Sequence, residues 1–135
     1  MQDATILIFK MLNDNPSLIQ NMGGKDPSKG WNRIYNSPDS DDINELPRIN
    51  IFEVANSDDG AADDEPLFSD VNVRIELRTD TISNLFSIAK EIKKTIKSSF
   101  SCSRVELGET ITDVTMTPRI YLKPINVFLL LTQGE

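Results

Sequence analysis

The feature that most restricts the fold of this chain is a strict alternation of apolar and polar residues at positions 71–78. One parity is wholly apolar and consists of Val71, Val73, Ile75 and Leu77, while polar residues fill the positions between them. Because successive side chains of a strand point to opposite faces of a sheet, this pattern predicts a strand with one buried face and one wet face. The chain must therefore supply a layer that covers the apolar face.

An amphipathic helix directly after this strand is predicted to form that layer. Apolar residues recur at helical spacing through residues 81–98, as Ile82, Leu85, Phe86, Ala89, Ile92 and Ile96. Asp80 is positioned to cap the start of the helix. The C-terminal half carries Lys90, Lys93, Lys94 and Lys97, where positive charge suits the helix dipole. These lysines are interpreted first as a solvated face, and second as a patch that meets an acidic partner.

The N-terminal part of the chain carries signals for two further helices. Residues 3–13 have apolar positions at helical spacing. Asn15 followed by Pro16 is typical of a helix cap and of the first position of a second, short helix. Gly23 and Gly24 are predicted to end that helix.

The remaining ordered segments are predicted to be strands. They are residues 33–35, 49–54, 104–107, 112–122 and 125–131, with Pro118 interrupting the fourth. The last of them is apolar at nearly every position, so it must be covered by the core on one face and by a helix or a partner on the other. Val127, Leu129 and Leu131 are therefore candidates for contact with a partner.

Residues 56–66 are predicted to form a flexible acidic loop between two antiparallel strands. This segment consists almost wholly of Ser, Asp, Glu, Gly and Ala, so it has little apolar surface to offset the entropy of ordering. Its charged positions are candidate interaction residues, namely Asp58, Asp59, Asp63, Asp64 and Glu65. The alternative interpretation is a solvated spacer with no role.

Together these segments predict an α+β fold in a single domain spanning residues 1–135. The N-terminal helix and the longer amphipathic helix are expected to pack on one face of a mainly antiparallel sheet. The length of 135 residues suits one domain with one core. The longest apolar run, residues 127–131, is too short to cross a bilayer, so no membrane partner is expected.

The composition excludes several kinds of chemistry and predicts that the protein is not an enzyme. There is no histidine, which removes the commonest general base and the commonest zinc ligand. Cys102 is the single cysteine, so no internal disulfide forms and a reducing cytosol is expected. A net charge of −7 opposes binding to a nucleic-acid backbone. The glycine-rich residues 23–30 lack the Gly-Lys-Ser/Thr ending of a phosphate loop, and no cofactor or metal is predicted.

The order of these segments resembles the tail completion, or tail terminator, proteins of long-tailed bacteriophages. The resemblance rests on an N-terminal helix followed by Asn15-Pro16 and Gly23-Gly24, then Arg33-Ile34-Tyr35, Pro38 and Leu46-Pro47 before Ile49-Asn50-Ile51, then the strand at 71–77, the helix at 81–98 and a closing pair of strands. Residues 25–32 and 56–66 are longer than the family pattern. Both departures fall in predicted loops, so they bear on the interface more than on the fold.

The resemblance implies a non-enzymatic virion part that forms a hexameric ring, caps the finished tail tube and joins it to the head. Its implied partners are other copies of itself, the tail tube protein and the head connector protein, with DNA passing nearby without specific binding. Its implied location is the tail–head interface of the virion, after assembly in the host cytoplasm. Two alternatives remain open: another connector component such as a head-closure protein, and a cytosolic protein-binding module outside the virion.

Overall fold

A computed structural model of the protein describes residues 4–24, 33–37, 46–62, 65–100, 104–113 and 120–132, and for residues 55–62, 65–70, 113 and 130–132 it describes the backbone alone. The elements in chain order are α1 (Ala4–Asn13), α2 (Pro16–Asn21), β1 (Ile34–Tyr35), β2 (Arg48–Ala62), β3 (Glu65–Thr79), α3 (Ile82–Ser99), β4 (Arg104–Leu107), β5 (Ile111–Asp113) and β6 (Ile120–Thr132). This is an α+β fold, as the sequence predicts.

One mixed sheet contains all six of these strands. The strand order is β1-β2-β3-β6-β4, and β5 pairs with β6 beside β4. β1 runs parallel to β2, and every other pairing is antiparallel. The predicted strand at 112–122 is divided, because β5 ends at Asp113 and β6 begins at Ile120. Residues 114–119, with Pro118, lie outside the described residues.

The core lies between one face of this sheet and the helices. Ile75 of β3 pairs with Ile51 on β2 and with Ile125 on β6, and all three side chains are fully buried. Ile8 of α1 and Ile92 of α3 are also fully buried and belong to the same apolar cluster. The predicted buried parity of β3 is therefore confirmed.

The opposite face of β3 is half-buried, which differs from the wet face that the alternation predicts. Its long polar side chains lie along the sheet and bind neighbours on it. The Arg74 Nε donates to the Asn126 Oδ1 at 3.3 Å, and Arg78 pairs with Glu76 at 3.2 Å. Hydrogen bonding within the sheet thus removes these groups partly from water.

The junction between α1 and α2 follows the local signals in the sequence. The Leu18 backbone N–H donates to the Asn15 Oδ1 at 3.2 Å, and Pro16 occupies the first helical position. Gly23 and Gly24 follow the helix with φ of 87° and 84°, a left-handed conformation that glycine adopts without steric cost. The predicted cap, proline and glycine ending are all confirmed.

Helix α3 departs from its prediction in two ways. Thr81 is the residue before the helix and makes no side-chain capping bond, so Asp80 does not cap it. Ile82 and Phe86, predicted as core, are 48% and 52% exposed. The buried stripe instead consists of Leu85, Ile88, Ala89, Ile92 and Ile96. Each residue turns the helix by about 100°, so Ile82 and Phe86 lie on the margin of the arc that the sheet covers.

The predicted flexible loop at 56–66 is wrong as secondary structure. Residues 56–62 continue β2 and residues 65–66 begin β3, with backbone pairing as far as Ala62 opposite Glu65. Residues 63–64 lie outside the described residues. Backbone pairing depends on N–H and C=O groups, and every residue here except proline supplies both. The pairing that the buried half of the hairpin establishes can therefore continue through a segment with few apolar side chains.

Candidate functional site

The hairpin of β2 and β3 extends past the helical layer. α3 has 18 residues and is about 27 Å long, whereas each of the two strands has 15 residues and is about 50 Å long. α3 begins three residues after β3 ends, so it reaches back along only about eight residues of that strand. We call the remaining part, residues 55–62 and 65–70, the arm.

A register shift marks the base of the arm. Glu53 pairs with Val73, but Ala55 pairs with Asn72, so Val54 is an extra residue on β2. Such a bulge exchanges the two faces of the strand beyond it and increases the local twist. Val54 itself is 51% exposed. The core therefore ends at this position on β2, and the arm continues with a different relation between sequence and sheet face.

Negative charge is concentrated in the arm. Residues 55–70 include six acidic residues and no lysine or arginine, which leaves the rest of the chain close to neutral. Backbone pairing places Asp58 opposite Ser69 and Asp59 opposite Phe68, and Glu65 opposite Ala62. Three of the five acidic candidates thus lie on one hairpin, and the other two, Asp63 and Asp64, lie outside the described residues.

The arm also has unpaired backbone edges within the described part of the chain. Pairing of β1 with β2 ends at Asn50, so the outer edge of β2 has no strand beside it from Phe52 onwards. β6 reaches only Thr132, opposite Phe68. A row of free N–H and C=O groups can accept a strand from another chain.

The apolar candidates on β6 belong to the core. Val127 and Leu129 are 0% and 2% exposed on the face that the helices cover, so these side chains are not presented to a partner in this conformation. The side chain of Leu131 lies outside the described residues. The opposite face of β6 is half-buried, and there the Arg104 guanidinium carbon lies 4.2 Å from the centre of the Phe128 ring.

A second surface, on α3, is one that sequence reasoning missed. Within about 80° of helical arc lie five residues, Ile82, Phe86, Lys90, Lys93 and Lys97, all of them exposed. We call this set the α3 stripe. Its N-terminal half is apolar and its C-terminal half is basic. The angular positions on the helix, which follow from the sequence, indicate this surface. Ile82 and Phe86 are the apolar residues closest in angle to the lysines, and they are the two that the sheet leaves exposed.

The surroundings of the α3 stripe extend this surface onto the sheet. The Lys123 Nζ lies 5.2 Å from the centre of the Phe86 ring and donates to the Gly108 carbonyl oxygen at 2.9 Å. Leu107, directly before that glycine, is 41% exposed. Gly108 approaches β6 closely, since a Cβ at this position would lie 2.7 Å from the Pro124 Cγ.

The described residues offer little for catalysis or metal binding. A shallow depression beside the α1–α2 turn is lined by residues that include Asn13, Ile19 and Gly24, and Asp14 is its one titratable side chain. Among the described side chains, no group of three acidic or cysteine residues could hold a metal ion. Cys102 lies outside the described residues. None of the helices described is both long and apolar enough to cross a membrane.

No protein-family model and no curated protein matches this chain. The resemblance to tail terminator proteins therefore stays a prediction that rests on the order of the segments. The site itself consists of two surfaces, an acidic arm with free backbone edges and a stripe of exposed apolar and basic side chains.

Proposed function

We propose that this protein is a structural component of a long-tailed bacteriophage that caps the finished tail tube and joins it to the head connector. In this role it acts as a ring of identical subunits, stops tube growth and presents a surface to the head side. The fold supports the proposal, because two helices on one face of a mainly antiparallel sheet follow the element order on which the resemblance rests.

The observation that carries the proposal is the arm. Residues 59–62 pair with 65–68 at the far end of the hairpin, beyond the length of α3. No described strand pairs with the outer edge of β2 in the arm, and this edge together with the concentrated charge suits contact with other protein chains. These are properties of an assembly component rather than of an enzyme.

The charge of the arm also suits a ring through which DNA passes. Six acidic residues per subunit, repeated around a ring, would repel the phosphate backbone if the arms lie near the channel. DNA would then move through without binding. The same charge attracts basic protein surfaces, so the arm has two compatible roles in the assembly.

Negative-stain microscopy of purified protein mixed with isolated tail tubes tests the proposal. We expect a ring-shaped cap at one end of each tube, and tubes that no longer lengthen when tube subunits are added. Tubes without the protein are the control. Bare tube ends would contradict the proposal. A second sample contains the protein with isolated heads, and binding to heads but not to tubes would indicate a head-closure component instead.

A further inference from the structure

We infer that the α3 stripe is the docking site for the arm of a second copy of this chain, so that identical subunits join head to tail. This inference deepens the proposed function and rests on it for the identity of the occupant as another copy. It assigns a partner segment to a surface that the ring model alone leaves unassigned.

The α3 stripe has the chemistry to accept an acidic segment that also carries apolar residues. Ile82 and Phe86 are about half exposed and lie one turn apart on α3, so together they form an apolar patch on the surface. Lys90 and Lys93 are exposed and form no ion pair among the residues that the structure describes. An incoming segment would therefore cover the apolar surface of Ile82 and Phe86 at one end and meet the charges of Lys90 and Lys93 at the other.

The arm supplies the complementary chemistry. Its sequence combines four acidic residues, Asp58, Asp59, Glu65 and Asp70, with the apolar pair Leu67 and Phe68. Electrostatic complementarity of this kind selects the partner and fixes the orientation of docking. No other segment of the chain carries so much charge of one sign, since residues 55–70 account for nearly all of the net charge of −7.

The positions of the two surfaces require a second copy. The arm belongs to β2 and β3, which lie toward one end of the strand order. α3 packs on β3, β6 and β4, and β4 lies at the opposite end of that order. Asn15 of the α1–α2 turn donates to Thr95 and Glu91, so α2 occupies the other flank of α3 and the α3 stripe faces away from it. Two different surfaces that fit each other produce a head-to-tail contact, which closes into a ring when the rotation permits.

A charge exchange tests this contact in solution. One variant carries Lys90→Glu with Lys93→Glu in the α3 stripe. The other replaces the four acidic residues of the arm, as Asp58→Lys, Asp59→Lys, Glu65→Lys and Asp70→Lys, so that residues 55–70 become net positive. Sedimentation velocity in low salt measures self-association, and circular dichroism verifies that each variant is folded. We expect each variant alone to associate at least about tenfold more weakly than the wild type, because like charges then meet.

The decisive sample is an equimolar mixture of the two variants. The basic arm of one variant fits the acidic stripe of the other, and the acidic arm of the second fits the unchanged stripe of the first. The mixture should therefore regain assemblies of the wild-type size. Lys10→Glu is the control with the same kind of charge change, because Lys10 is exposed and lies on α1, outside the α3 stripe.

Three results would overturn the inference: a wild-type chain that stays monomeric at its highest attainable concentration, a mixture that fails to associate, or a Lys10→Glu effect as large as that of the variant with Lys90→Glu and Lys93→Glu. Capping of tail tubes by the same samples separates this inference from the proposed function. Capping that survives a failed exchange rejects only the docking site. A successful exchange with bare tube ends rejects only the proposed role in the phage.

Discussion

The two halves of the β2–β3 hairpin differ in what holds them together. In the first half, which we call the body, Ile51, Ile75 and their neighbours are fully buried beneath α1 and α3. In the arm, the same two strands continue their pairing beyond the length of α3, with a sequence rich in acidic residues. In the body, side-chain burial accompanies the pairing of the two strands, whereas in the arm the described contact between them is backbone pairing.

The two halves should therefore contribute unequally to stability. Burying a large apolar side chain stabilises the fold by about 1.5–3 kcal/mol, and the body contains many such residues. Residues 60–62 and 65–67 pair only with each other among the described strands, and an isolated two-stranded hairpin is marginally stable at best in water. The arm consequently depends on the body for its register, whereas the body should fold without the arm.

The largest effect is expected from a cavity in the body. Ile75→Ala should lower the free energy of unfolding by about 2–5 kcal/mol, because Ile75 is fully buried between β2 and β6. Its neighbour provides the control, since Arg74 is half-buried and Arg74→Ala should cost at most about 1 kcal/mol. Urea unfolding measures both. Equal costs would mean that the two faces of β3 have been assigned incorrectly.

A smaller loss of stability is expected from a change at the junction of the α1–α2 turn with α3. The Asn15 side chain caps α2 and donates to the Thr95 hydroxyl of α3 at 2.6 Å. Asn15→Ala should destabilise the protein by about 1–2 kcal/mol. Ser17→Ala, at an exposed position in the same helix, should be close to neutral. Thermal unfolding of the two variants compares them, and an unchanged Asn15→Ala protein would contradict this account of the junction.

A still smaller loss of stability is expected from truncating an exposed side chain of the α3 stripe. Phe86 is 52% exposed, so Phe86→Ala should cost less than about 1.5 kcal/mol of stability, whereas Leu85→Ala, at a fully buried position, should cost about 2–5 kcal/mol. Self-association should reverse this order, with Phe86→Ala weakening it in spite of a stable fold. Chemical unfolding and sedimentation of the same samples test both statements. A Phe86→Ala protein that associates normally would remove Phe86 from the docking surface.

The smallest effect on stability is expected from removing most of the arm. Replacement of residues 57–70 by a two-residue turn that joins the paired residues Asn56 and Val71 should change the free energy of unfolding of the monomer by no more than about 1 kcal/mol, because the buried residues from Val71 to Thr79 are kept. Urea unfolding measures this change. A loss comparable to that of Ile75→Ala would show that the arm is part of the cooperative core, and the comparison of the two halves would then fail.

The body could be predicted from the sequence because its signals are local and redundant. The alternation at 71–77 specifies both the strand and its buried face. Asn15 with Pro16, and Gly23 with Gly24, specify the limits of α2 through their own backbone chemistry. Each of these signals agrees with the elements that surround it, and each is confirmed.

The arm could not be predicted, because composition describes residues one at a time. The low apolar content of 56–66 indicates little apolar surface to bury. It does not indicate whether backbone pairing begun elsewhere continues through the segment. In the same way, helical periodicity indicates the direction of the apolar face of α3 but not the width of the arc that the sheet covers. For this reason it predicts Ile82 and Phe86 in the core, although both are about half exposed.

The most direct test is microscopy of tail tubes incubated with the whole chain or with the chain in which a two-residue turn replaces residues 57–70. Unfolding of the shortened chain verifies beforehand that its body is folded. We expect ring-shaped caps on tubes mixed with the whole chain and bare ends on tubes mixed with the shortened chain. Bare ends with the whole chain, or normal caps with the shortened one, would contradict this expectation.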